Sequence, residues 1–74
     1  MLYRTLETVV RDIIGYDDVW WSITGLMAAL KKPENGSYSP DYEMVRLIVL
    51  ELLGAGLVES RKVFGISQFR WQGQ

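Results

Sequence analysis

Val45-Arg46-Leu47-Ile48-Val49-Leu50-Glu51-Leu52-Leu53-Gly54-Ala55-Gly56-Leu57-Val58 holds the body of a helix, the turn that stops it and the start of a strand. Val45, Ile48, Val49, Leu52 and Leu53 recur at helical spacing and predict an apolar stripe along one side of that helix. Gly54-Ala55-Gly56 ends it, because glycine past the last turn closes a helix without a Cβ penalty. Beyond it the period changes. Residues 57–63 and 66–72 are rich in β-branched and aromatic side chains, and Phe64-Gly65 between them suits a hairpin turn.

Upstream of this stretch the pattern is helical twice more. Leu2, Leu6, Val9, Val10 and Ile13 predict an amphipathic helix over residues 3–14, ended by Gly15. Ile23, Leu26, Met27 and Leu30 mark the buried stripe of a second helix that fails by Pro33, with Lys31 and Lys32 expected in its last turn, where they complement the helix dipole. Between the two, Val19-Trp20-Trp21 fits either a short strand before a helix capped by Ser22, or the first turn of a helix capped by Asp17 or Asp18. Residues 31–39 are a loop rich in Pro, Asn-Gly and Ser; Ser39 before Pro40 predicts the cap and first position of the third helix. The fold class is α+β, mainly α: three helices followed by a C-terminal β-hairpin, with a possible short strand between the first two helices, in one domain over residues 1–74.

That element order, and residues 45–58 in particular, resemble the winged helix-turn-helix of bacterial and archaeal transcription regulators. In such proteins the third helix enters the major groove and the hairpin, the wing, touches phosphate or minor groove. The resemblance therefore implies a DNA-binding, transcription-regulating role, with Arg46 as the base contact on the third helix and Arg61, Lys62 and Arg70 as phosphate contacts on the wing. Opposite Val45, Val49 and Leu52, however, that helix presents Glu43, Arg46, Leu47, Leu50 and Glu51, where DNA readers of this kind place polar or basic side chains. Carboxylates repel phosphate, and leucine offers a base only apolar contact. The rival expectation is a protein-protein interaction module or homodimer in which Leu47, Leu50 and one of Trp20 or Trp21 are covered by another chain.

Composition narrows the function classes. The 74 residues are 49% hydrophobic and 23% charged, a globular balance. Net charge is -1. Residues 1–56 carry five basic and eight acidic side chains (net -3) and residues 57–74 three and one (net +2), so any basic footprint lies in the hairpin. There is no His and no Cys. The commonest general base, the thiolate nucleophile, disulfides and the usual zinc ligands are all missing, and no enzymatic activity, cofactor or metal is expected. Asp17-Asp18 is expected to be a helix-capping pair rather than an acid/base pair. Gly54-Ala55-Gly56 follows a helix and precedes a strand, the reverse of a phosphate-cradling loop. With no apolar run of spanning length, no export signal and no Cys, a cytoplasmic protein without a membrane partner is expected.

Overall fold

The computed structural model describes residues 5–73. Leu2 lies outside them, and the first helix, expected from residue 3, starts only after Thr5, whose backbone is extended. Helix α1, Leu6–Tyr16, is capped by Thr5, whose side chain accepts the Thr8 amide at 3.2 Å. Gly15 does not end α1; the helix runs one residue further, and Asp17 is extended. Gly15 lies beside the Trp71 indole, which a Cβ there would meet at 3.6 Å, an ordinary packing distance.

A short strand forms between α1 and α2, as one of the two alternatives had it, but it leaves out Val19 and Trp20 and takes in Ser22. Trp21–Ser22 forms β1, and Ser22 caps α2, Ile23–Leu30, its Oγ accepting the Gly25 amide at 3.0 Å. Lys31 is the C-cap and Lys32 lies beyond it, so the lysines fall just outside the last turn. The loop that follows is pinned by a short 3-10 turn, Pro33–Asn35, and by Asn35 Nδ2 donating to Ala29 O at 2.8 Å.

Helix α3, Tyr42–Gly54, starts two residues later than Ser39-Pro40 suggests. Asp41 is its cap, accepting the Met44 amide through Oδ1 at 2.9 Å; a carboxylate at that position also complements the positive end of the helix. At the other end the Gly56 amide bonds to Leu53 O and the Leu57 amide to Leu52 O, both at 3.0 Å, and Gly56 takes φ +77°. This is a Schellman closure, which needs a residue free to adopt the left-handed region. It delivers the chain into β2, Val58–Val63, which pairs antiparallel with β3, Ile66–Trp71. Phe64 and Gly65 both have positive φ, the two-residue turn that matches strand twist.

The architecture is therefore three helices followed by an antiparallel hairpin, with sheet order β1-β3-β2. Val9, Val10, Ile14, Ile23, Leu26, Leu30, Val45, Val49, Leu52, Val58 and Phe69 form the core. Ile14 takes the buried place expected for Ile13, which is only partly covered, as are Met27, Ile48 and Leu53. No helix among the described residues is long and apolar enough to cross a membrane.

Candidate functional site

Strand register decides which hairpin side chains meet. Residues directly opposite on an antiparallel pair share a face, and neighbours along a strand alternate. Val58, Ser60 and Lys62 lie opposite Trp71, Phe69 and Ser67 on the helix-facing side, and Trp21 opposite Phe69 joins them. Glu59 and Arg61 lie opposite Arg70 and Gln68 on the outer side. Arg61 and Lys62 thus diverge, and the three hairpin cations do not form one cluster.

Arg61 and Arg70 do converge on the outer face, over Trp20. Their guanidinium carbons sit 4.2 and 4.7 Å from the indole centroid, a cation-π arrangement on both. Each is further committed. Arg61 Nε donates to Gln68 Oε1 at 2.8 Å. Arg70 donates to Glu59 Oε2 from Nε at 2.9 Å and from Nη2 at 2.6 Å, and Asp18 stands 3.6 Å away. Hydrogen bonding to Glu59 raises the Arg70 pKa further above its ordinary value. Asp18 is therefore a partner of the hairpin, not a helix cap.

Trp20, half-buried under these arginines, is not a bare aromatic surface. Trp21 packs against the core beside a cavity of about 390 Å³ also lined by Ile13, Tyr16, Ala29 and Asn35. Its Nε1 is buried and has no hydrogen-bond partner among the described residues. Neither Trp belongs to the surface of α3.

That surface has two parts. Arg46, expected to face a base, is clamped by Glu43 one turn earlier, at 3.1 Å from Nε and 2.6 Å from Nη2. The hydrogen bonds hold the Glu43 carboxyl below the ordinary carboxylate range and raise Arg46. Beside this pair Leu47 is 51% exposed and Leu50 39%, while Val45 and Val49 on the opposite side are fully buried. Met44 and Tyr42 are about half exposed. At the far edge the Glu51 carboxyl is raised above its ordinary range, first by hydrogen bonding to Glu7 of α1 and then by repulsion from it.

That pair gives a signed prediction. A carboxyl whose folded pKa is raised stabilises the fold below its unfolded pKa, and the contribution is lost as pH rises through the folded value. At neutral pH Glu51→Gln removes the repulsion and raises the melting temperature by up to a few degrees in dilute protein. The gain disappears once the pH falls below the ordinary carboxylate range. Melts of both chains at neutral and acid pH check this; an equal gain at both would contradict it.

Among the described residues no group of three or more His, Cys, Asp or Glu is placed to hold a metal ion. No family model matches the chain, and neither a curated protein nor a solved structure matches it.

Proposed function

We propose that the protein is a non-enzymatic interaction domain that docks a protein chain on the outer face of α3, rather than a winged-helix regulator that reads DNA with it. The observation that carries this reading is the exposure of Leu47 and Leu50 on a helix whose only cation, Arg46, is already clamped by Glu43. A base-reading helix needs free donors and acceptors facing outward, and this one offers two leucines between carboxylates. Covering the leucines contributes about 1 kcal/mol each, since each is already about half shielded, in line with roughly 25 cal/mol per Å² of apolar surface.

The hairpin supports the same choice. Arg70 is ion-paired, and Arg61 and Arg70 lie on the side of the sheet turned away from the helices, so they do not flank α3. What remains for duplex DNA is a weak contact through Arg61 or Lys62, which point to opposite faces of the hairpin. One phosphate contact releases few counterions, so log affinity against log salt should slope by about -1, with little dependence on sequence. Anisotropy titrations at several salt concentrations test this. Tight, sequence-selective binding that is lost in Arg46→Ala would return the third helix to the major groove and end the protein-docking reading.

A further inference from the structure

We infer that the chain docked on α3 is a second copy of this protein, with the two α3 helices side by side and parallel, and with Arg46 of each copy paired to Glu51 of the other. The inference rests on the docking reading above and adds the partner and its orientation.

At about 100° per residue, Leu47 and Leu50 straddle a line diametrically opposite the buried Val45, Val49 and Leu52. Arg46 falls about 70° to one side of that line and Glu51 about 70° to the other. In heptad terms the leucines occupy a and d, Arg46 g and Glu51 e. When two identical helices pack in parallel about a two-fold axis, g of one faces e of the other, five residues further on. Arg46 and Glu51 are five apart, an axial offset of about 7.5 Å that two long side chains bridge. An antiparallel pair has the opposite electrostatics, because it sets Arg46 beside Arg46 and Glu51 beside Glu51.

Charge complementarity therefore selects a second copy and the parallel arrangement together. The flanking residues agree with it. Glu51 is crowded by Glu7 within its own chain, and a guanidinium arriving across the seam relieves that repulsion. Glu43, which also falls on the seam one heptad before Leu50, is neutralised by its own Arg46 through Nε and Nη2, which leaves the Nη1 donors of Arg46 for Glu51 of the other copy. Gly54, one heptad after Leu47, presents no side chain where the helices end. The seam is short, so the association is reversible and weakens with salt.

Sedimentation velocity over a concentration series, on the wild type, Arg46→Glu, Glu51→Arg and the double exchange Arg46→Glu/Glu51→Arg, tests the inference, with circular dichroism to show that each variant is folded. The wild type should be a monomer-dimer mixture. Each single exchange sets like charges against each other at two symmetric places and should weaken dimerisation about tenfold or more. The double exchange, made together with Glu43→Gln so that no carboxylate is left unpaired on the seam, recreates both pairs with reversed sign and should restore it to within a few-fold. A double exchange no better than the singles would overturn the parallel pairing. Dimerisation lost in Leu47→Gln/Leu50→Gln but indifferent to the charge exchanges would keep the docking face and discard the pairing. A wild type that stays monomeric throughout would overturn the second copy as partner, leaving the docking face itself to be judged by the folding of the leucine variant.

Discussion

Leu26→Ala should lower the unfolding free energy by about 2–5 kcal/mol, the range for truncating a buried leucine whose surroundings collapse only in part. Leu26 is fully buried in α2, the helix that packs on α1, α3 and β1, so a cavity there opens inside the core that these elements share. For so small a domain, that loss is a large part of a total of about 5–15 kcal/mol, nearer its lower end. Urea denaturation of the two chains measures it. A cost under about 1 kcal/mol would mean that the helices do not share the core described for them.

Phe69→Ala should be at least as damaging, at about 3–5 kcal/mol. Phe69 is 5% exposed on the central strand, opposite Trp21 of β1 and Ser60 of β2, so its ring fastens both neighbouring strands to the helices. Phe64, 99% exposed at the hairpin turn, is the internal control. Phe64→Ala should change stability by no more than about 0.5 kcal/mol, as for a surface position. Phe69→Leu, which keeps most of the buried volume, should recover most of the loss. Comparable effects at both phenylalanines would contradict the register of the hairpin.

The contrast between those two rings shows what the sequence makes legible. The hairpin and its turn are local features: β-branched and aromatic runs on either side of Phe64-Gly65 leave one register, and the observed strands differ from the expected ones by a single residue at their outer ends. The two sides of α3 follow from helical angles alone, which is why Leu47 and Leu50 are outside the core as expected. The start of α3 was harder. Ser39-Pro40 and Asp41 are all competent starts, and the choice depends on how the preceding loop returns from Asn35, a contact with Ala29 that periodicity does not encode.

Arg61, Lys62 and Arg70, expected as phosphate contacts on the wing, do not share one face of the hairpin. Strand alternation alone separates Arg61 from Lys62, a signal present in the sequence. The stacking of Arg61 and Arg70 on Trp20 was not. It arises because β1 pairs with β3 across more than forty residues, and nothing near Trp20 announces which strand it will join. Asp18, expected to cap a helix, faces Arg70 for the same reason, since that partner lies on the distant strand. Gly15, a credible helix stop by itself, lies inside α1 beside the Trp71 indole.

If the outer face of α3 is there for a partner, as proposed, it is surplus to the domain's own core. Thermal unfolding of Leu47→Gln/Leu50→Gln in dilute protein, followed by circular dichroism, tests it most directly. Glutamine removes the apolar surface, keeps a good helix former and adds no charge beside Glu43 and Glu51. A face that serves only docking predicts a cooperative transition, with helix content unchanged and a midpoint within a few degrees of the wild type, as for surface substitutions of about 0.5 kcal/mol. A variant that is unfolded, or that melts tens of degrees lower, would place both leucines in the core and contradict the account.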